Sequence, residues 1–287
     1  MRQLQPPYFY MKQPDRGGVK MKIGFIGLGN MATAMIGGIV QKGLVRPEEI
    51  LGSARTRESV QKAVDTFGIS GAENNLEVAK SADILVLSVK PQMYEKVITE
   101  IKDVIKQETI IVSIAPGKSI SWLAGLFGFL NGAERIVRCM PNTPALVGEG
   151  CTGVCFGAGI DAPGKEKVMD ILNSFGKAIE ISEHLMDTVV GVSGSSPAYV
   201  FVLIEAMADA AVADGMPRNQ AYEFAAQAVY GSAKMVLETG MHPAQLKDMV
   251  CSPGGTTIEA VRVLEEKGFR SAVIEAQKAC VAKSKGM

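Results

Sequence analysis

From Met21 onward, short runs of β-branched and aliphatic residues alternate with longer segments whose apolar positions recur at helical spacing. Strands are predicted at residues 22–27, 49–53, 84–89, 109–113 and 135–139, with helices at 30–42, 57–67, 92–101 and 119–126 between them. Two further strands, 153–156 and 178–181, flank a helix at 164–173. Because the strands are apolar on both faces and helices separate them, the pattern predicts an α/β fold whose parallel sheet is covered on both sides. A Rossmann-type doubly wound domain is therefore expected over residues 21–182.

Beyond residue 182 the periodicity becomes wholly helical, which predicts an all-helical domain over 183–287. Ser196-Pro197 reads as a cap and first-turn proline opening a helix that runs to Asp214. Val200, Leu203, Ile204, Met207 and Ala211 give that helix one apolar face. Ala198, Phe201, Val202, Ala206, Ala208, Ala210 and Val212 make most of the remaining circumference apolar or small. A helix apolar nearly all round needs more neighbours than this chain supplies, so an intertwined homodimer is expected. Glu205 and Asp209, four apart, read as a narrow solvated stripe rather than a catalytic pair. Further helices are expected at 220–238, 257–266 and 269–283, with a short turn at 243–250.

Residues 1–20 have neither period, and with Pro6, Pro7, Pro14 and Gly17-Gly18 they are expected to be a disordered extension. The absence of a run of about eighteen apolar residues argues against a membrane-spanning helix. Thirty Lys plus Arg balance thirty Asp plus Glu. No basic field exists to gather nucleic acid or an anionic membrane, and a small-molecule partner is favoured. Five cysteines without CxxC spacing and two histidines support neither a disulfide framework nor a metal site. Reduced thiols in a cytoplasmic protein are expected.

The segment Ile23-Gly24-Phe25-Ile26-Gly27-Leu28-Gly29-Asn30-Met31-Ala32 takes an apolar strand through a glycine turn into a helix. Gly27 permits the turn, Gly29 lets the backbone approach a pyrophosphate, and Ala32 keeps helix and sheet close. Ile26 to Met31 thus form a candidate dinucleotide cradle, with the helix dipole favouring an anion. NAD sites usually carry an acid at the end of the second strand. Here that position reads Gly52-Ser53-Ala54-Arg55-Thr56-Arg57, and a ribose phosphate bound by Ser53 and Arg55 is favoured, making NADPH the expected cofactor. The alternative is that the arginines are merely solvated. Ser88-Val89-Lys90-Pro91 and Ser113-Ile114-Ala115 close later strands at the ends where open α/β sheets bind ligands; for Lys90 a structural turn is an equal alternative.

Three more segments, Arg138-Cys139-Met140-Pro141-Asn142-Thr143-Pro144, Ser193-Gly194-Ser195-Ser196-Pro197-Ala198-Tyr199 and Ser252-Pro253-Gly254-Gly255-Thr256-Thr257, resemble motifs of the pyrroline-5-carboxylate reductases. With the glycine fingerprint, the resemblance covers essentially all of residues 21–285. It implies NADPH-dependent reduction of a cyclic imine to L-proline, the last step of proline biosynthesis, with NADH left possible. It further implies C-terminal helices interlocked in dimers, often assembled into decamers. Pro253-Gly254-Gly255 followed by Thr256-Thr257-Ile258-Glu259 reads by itself as a turn and capping box. The resemblance makes Gly254, Gly255, Thr256 and Thr257 a cradle for the substrate carboxylate, aims the Thr257 hydroxyl at the ring nitrogen, and places Ser252 in the same pocket. It matches Asn75 to an adenosine-side contact, leaving Asn74 as a helix cap. Asn142 and Thr143 are expected to position the nicotinamide or, alternatively, to form a turn. His184 and His242 fall outside all motifs, and Glu183 is given no catalytic role.

Two rivals remain from the residues. A β-hydroxyacid dehydrogenase shares the opening fingerprint, with Lys234 as the candidate acid/base, but Glu238 stands where that family sets an asparagine. A cofactor-sensing protein without turnover is the other, and the hydroxyls of Ser252 and Thr257 speak against it.

Overall fold

The computed structural model describes residues 21–129 and 134–286; the expected N-terminal extension lies outside them. Two compact units emerge, one running through Gly194 and resuming at Val281, the other Ser195–Cys280.

The first unit is built on an eight-stranded sheet: β1 (Ile23–Ile26), β2 (Ile50–Ser53), β3 (Ser70–Gly71), β4 (Ile84–Leu87), β5 (Ile110–Ser113), β6 (Ile136–Met140), β7 (Gly150–Phe156) and β8 (Gly176–Glu180). Its order is β3-β2-β1-β4-β5-β6-β7-β8. The chain crosses over between β1 and β4, so the ends of these neighbours open the crevice where such sheets take ligands. Helices α1 (Asn30–Lys42), α2 (Arg57–Phe67), α3 (Asn75–Ser81), α4 (Tyr94–Ile101), α5 (Ile120–Phe127), α6 (Ala162–Asn173) and the short α7 (Met186–Val189) accompany the strands. Alternation along each strand divides the core in two. Phe25, Val86, Val112 and Val137 join α1 and α6 on one face; Ile26, Leu85, Leu87, Ile111 and Ile136 join α3, α4 and α5 on the other.

One expectation about the sheet is corrected. β7 pairs antiparallel with β6, Val137 facing Phe156 and Met140 facing Gly153, and β8 then runs parallel to β7. The connection over residues 141–149 is too short for the crossover that a parallel neighbour needs. The unit also carries past the division expected at 182. Met186 packs with Met140 and Cys155, and a π-helical turn, Val190–Gly194, completes it. Its last stretch, from Val281, returns to this unit, where Ser284 Oγ donates to Asp187 Oδ1 over 2.6 Å.

The second unit consists of α8 (Ser196–Ala213), α9 (Arg218–Thr239), α10 (Pro243–Val250), α11 (Thr256–Glu266) and most of α12 (Phe269–Lys285). α8 and α9 form a hairpin turned at Gly215, whose φ of +95° only glycine adopts freely. Buried Ala208, Ala221 and Ala225 let the two helices approach closely, and Asp209 pairs with Arg218 at the mouth of the hairpin. Ser196 does not cap α8 as expected: it is the first helical residue, and Ser195, the residue before it, makes no side-chain cap because the π-turn leads straight in.

Much of this unit's apolar surface is uncovered within one chain. Phe201, Val202, Phe224 and Leu237 are 61%, 65%, 65% and 75% exposed. Soluble proteins cover patches of this kind with another surface. The helical stretch Glu183–Ala213 has a mean hydropathy of 1.5 and is long and apolar enough to cross a membrane by length and composition. Small and apolar residues interleave there, so the average is high although no uninterrupted apolar run of the kind sought in the sequence exists, and length and composition alone do not make it a membrane span.

Candidate functional site

The nucleotide-side residues gather where β1, β2 and β4 end. Gly27 has φ +99°, and a Cβ there would lie 2.7 Å from the Ser88 carbonyl oxygen. Its amide donates to Ser53 O at 2.9 Å, while Ser88 Oγ donates to Gly27 O at 2.7 Å. Ile26, buried in the core, and Leu28, half-buried beside Gly52, thereby carry the turn between two neighbouring strand ends. Gly29 behaves differently. Its backbone is extended with φ −82°, and a Cβ built on it would meet nothing within 4 Å. It opens α1 with no side-chain cap and no acid in the first turn, at Asn30 or Met31. Free amides, a positive helix end and open space above the glycine fit a pyrophosphate.

At the end of β2, Ser53 Oγ donates to Asn75 Oδ1 at 2.8 Å, and Asn75 Nδ2 donates to Glu100 Oε2 at 3.0 Å. Asn74 caps α3 by accepting from the Glu77 amide. Arg55 and Arg57 are exposed and make no ion pair among the described residues. Unengaged guanidinium groups beside a strand end that lacks an acid suit a phosphorylated ribose.

Val89 is half-buried next to Gly27, and exposed Lys90 with Pro91 begins a 3-10 turn after β4. Two expected contact residues, Ser113 and Asn142, have their side chains turned inward. Ser113 is fully buried, its hydroxyl donating to Tyr94 Oη at 3.2 Å, while Tyr94 Oη donates to Leu87 O at 2.6 Å. Burial drives the Tyr94 phenol well above its ordinary range. The Ser113 side chain thus braces β5 against β4 and leaves the backbone of Ile114 and Ala115 to border the crevice. Asn142 is 7% exposed; its Oδ1 accepts from the Cys151 amide at 2.8 Å and its Nδ2 donates to Ser193 O at 2.9 Å. That amide holds the loop between β6 and β7 to the π-turn instead of pointing outward. Thr143, beside it, is exposed.

In the helical unit, Ser252 to Thr257 form one turn at the start of α11. Gly254 has φ +68°, the Gly255 amide donates to Ser252 O at 3.0 Å, and a Cβ on Gly255 would lie 2.5 Å from Ser252 Oγ. The expected capping box is absent. Gly255 is the N-cap without a side-chain bond, and Glu259 turns instead to Arg262. Like α1, α11 therefore starts on glycine with its first amides uncapped, whereas Thr56, Asn74, Ser119, Asp161 and His242 cap other helices with their side chains. Thr256 and Thr257 sit in that first turn, Thr257 half-buried. Lys234 is exposed on α9, and no group of metal-binding side chains occurs among the described residues.

From the sequence, Glu183 carried no expected catalytic role and Arg138 figured only as part of a motif, so their contact went unseen. Arg138 is 6% exposed in the middle of β6, and its Nη1 donates to Glu183 Oε1 at 3.2 Å. The same oxygen accepts from the Ile120 amide at 2.7 Å. A charged residue inside the apolar run Ile-Val-Arg-Cys-Met was the available signal.

Comparison with known proteins agrees with both halves. Residues 183–287 match the family model for pyrroline-5-carboxylate reductase dimerisation, and residues 22–117 match that for NADP oxidoreductase, coenzyme F420-dependent. The pyrroline-5-carboxylate reductase of Escherichia coli K12 is 54% identical over 266 residues, covering 93% of this chain and 98% of that one. The enzyme of the same name from Arabidopsis thaliana is 39% identical, covering 92% and 94%. Among solved structures, a pyrroline-5-carboxylate reductase from Coxiella burnetii superposes with a TM-score of 0.86 at 34% identity, covering 93% of this chain and 98% of that one. The Plasmodium falciparum pyrroline carboxylate reductase with NADP bound gives 0.81 at 34%, covering 93% and 97%. With identity of this level along nearly its whole described length, the chain belongs to the pyrroline-5-carboxylate reductase family.

Proposed function

We propose that the chain reduces (S)-1-pyrroline-5-carboxylate to L-proline with NADPH, as an oxidoreductase acting on a CH–NH bond in proline biosynthesis. The observation that carries this reading, within a family whose members bear that name, is the pair of glycine-capped helix starts at α1 and α11. One suits a pyrophosphate and the other a carboxylate.

The nucleotide would be held by the turn from Ile26 to Met31, by Ser53, Arg55 and Asn75 on the adenosine side, and by residues 88–91 with Ile114, Ala115 and Thr143 toward the nicotinamide. When bound, NADPH supplies the hydride. The residues Gly254 to Thr257 would grip the substrate carboxylate through main-chain amides, with Ser252 stabilising the bend. Thr257 Oγ1 would accept from the protonated ring nitrogen, which keeps its proton and gains an electron pair as the ring carbon is reduced. Orientation supplies much of the acceleration in such a reaction, and effective molarity is worth up to roughly 7–11 kcal/mol. No histidine is required.

The exposed faces of α8 and α9 and the dimerisation match support an oligomer. We read it as a homodimer with interlocked C-terminal helices, a unit that can stack further into a decamer, working in the cytoplasm. Covering by a second chain, rather than lipid, accounts for the apolar stretch around α8.

The test follows NADPH absorbance with the imine, then with 3-hydroxyisobutyrate and NADP. Oxidation with the imine alone is expected. Activity on the hydroxyacid would replace this reading with the dehydrogenase, and tight NADPH binding without turnover on either would replace it with a sensor.

A further inference from the structure

Glu183 and Arg138 meet at a point where three parts of the sheet unit converge. Arg138 stands on β6 between Ser113 of β5 and Cys155 of β7. Glu183 precedes α7, and its Oε1 accepts from both Arg138 Nη1 and the amide of Ile120, the first residue of α5. α5 follows directly on residues 114–119, the loop that closes β5. Ser119 Oγ satisfies the Trp122 amide at 3.1 Å, so Glu183 adds a second, long-range cap to the same helix start.

This arrangement is not what stability alone favours. Arg138 is the only ionic side chain among the described residues that is buried in the core, and its Nε has no hydrogen-bond partner. Burying a guanidinium costs desolvation that a partly exposed carboxylate offsets only in part, and an unsatisfied donor adds to that cost. The Arg138 end of the pair is shut away from water, its side chain 7% exposed, whereas the Glu183 carboxylate at the other end is 34% exposed. What the pair does accomplish is mechanical: it joins the strand leading to the loop at residues 141–144 with the end of the loop at residues 114–119.

We propose that Arg138 and Glu183 are positioning residues for hydride transfer: through the Ile120 amide they fix the loop at residues 114–119 against which the nicotinamide is oriented. The proposal rests on the functional reading above. It concerns orientation and not affinity, because neither side chain lies in the glycine turn or at the β2 end.

The test has one readout that needs no substrate. In the full-length protein without nucleotide, Ile120 amide hydrogen exchange is measured for wild type, Glu183→Ala and Glu183→Gln, with emission of the single tryptophan, Trp122, as a second report on α5. Exchange should accelerate at least about tenfold in Glu183→Ala and return toward wild type in Glu183→Gln, whose amide oxygen can still accept. With imine and NADPH, kcat of Glu183→Ala should fall about ten- to hundredfold, NADPH Kd should stay within about threefold, and the isotope effect with nicotinamide-deuterated NADPH should rise. Glu183→Gln should recover most of kcat, as should Arg138→Lys relative to Arg138→Met. Unchanged Ile120 exchange in Glu183→Ala overturns the proposal, as does faster exchange with wild-type kcat and isotope effect. A loss of kcat that merely tracks the fraction of protein able to bind NADPH also overturns it. Wild-type protein inactive on the imine would refute the functional reading instead, while the exchange result still judged the contact.

Discussion

The hydroxyl of Ser53 donates to Asn75 Oδ1 over 2.8 Å, tying the end of β2 to the start of α3. The bond orients the Asn75 amide so that its nitrogen faces Glu100. The strand end itself carries no acid, the Glu100 carboxylate there is taken up by Asn75, and Arg55 makes no ion pair among the described residues. Arg55→Asp should raise the KM for NADPH at least about tenfold while that for NADH stays level or falls, since a bidentate contact to phosphate becomes a repulsion. Steady-state kinetics with both nucleotides decide it. An unchanged preference for NADPH would assign the ribose phosphate to other donors.

Gly27 and Gly29 make opposite predictions although only Leu28 separates them. In Gly27→Ala the new Cβ meets a carbonyl oxygen at 2.7 Å with φ at +99°, so the left-handed penalty of about 1–2 kcal/mol is a lower bound and the melting temperature should drop. Gly29 has an ordinary extended backbone and open space around its Cβ. Gly29→Ala should therefore melt like wild type yet bind NADPH at least about tenfold more weakly, because the methyl fills the approach to the pyrophosphate. Calorimetric melts and nucleotide titrations on the two variants test the cradle directly. Equal nucleotide affinity in Gly29→Ala and wild type would remove it.

Thr257 sits in the uncapped first turn of α11 without a role in capping. Thr257→Ala should lower kcat by about ten- to hundredfold, the worth of a hydrogen bond to a charged group at about 1.5–3 kcal/mol. NADPH affinity should remain nearly intact, and Thr257→Ser should restore most of the turnover. Wild-type kcat in the alanine variant would take the hydroxyl out of the mechanism.

How much of this was readable beforehand depended on whether the signal was local. The bounds of α1 and α2 were legible to the residue because Gly43 and Gly68 stop them in the left-handed conformation and Thr56 caps the second. α3 escaped notice, since a helix of seven residues, about two turns, carries little period of its own, although its cap at Asn74 was visible. The reversal of β7 was hidden in strand composition but present in the brevity of residues 141–149. The inward turn of the Ser113 and Asn142 side chains was not legible, for a shared reason. Both are polar residues at strand ends, where a side chain can turn inward to satisfy buried backbone as readily as outward to a ligand. The joining of Arg138 to Glu183 spans distant segments and only the fold reveals it.

Asp83, just before the N-terminal end of the interior strand β4 and so on the side of the sheet away from the crevice, offers a pH test separate from catalysis. Burial would raise its pKa, but the ammonium of Lys106 at 2.8 Å and the Lys22 amide at 2.9 Å outweigh this and hold it below the ordinary 3.8. A depressed carboxylate contributes stability above its unfolded pKa and loses it as pH falls through the folded value. Asp83→Asn should be slightly less stable than wild type at neutral pH, with the gap closing in acid below the ordinary value. Since the pair is well exposed, the effect is small and screened by salt. Urea melts across this range measure it, and a gap that widens in acid would contradict the sign.

Phe201 and Val202 lie side by side on α8, 61% and 65% exposed in the isolated chain. If a second chain covers them, replacing Val202 with glutamate places a charge where a buried methyl pair belonged, costing several kcal/mol with no partner to offset it. Val202→Glu should elute as a monomer by size exclusion with light scattering, or at least dissociate about a hundredfold more readily. Glu205, on the same helix but already polar and exposed, provides the control: Glu205→Gln should assemble as wild type does. A Val202→Glu variant of unchanged mass at micromolar concentration would mean that this face of α8 lies outside the interface, and the covering of the apolar stretch would then need another explanation.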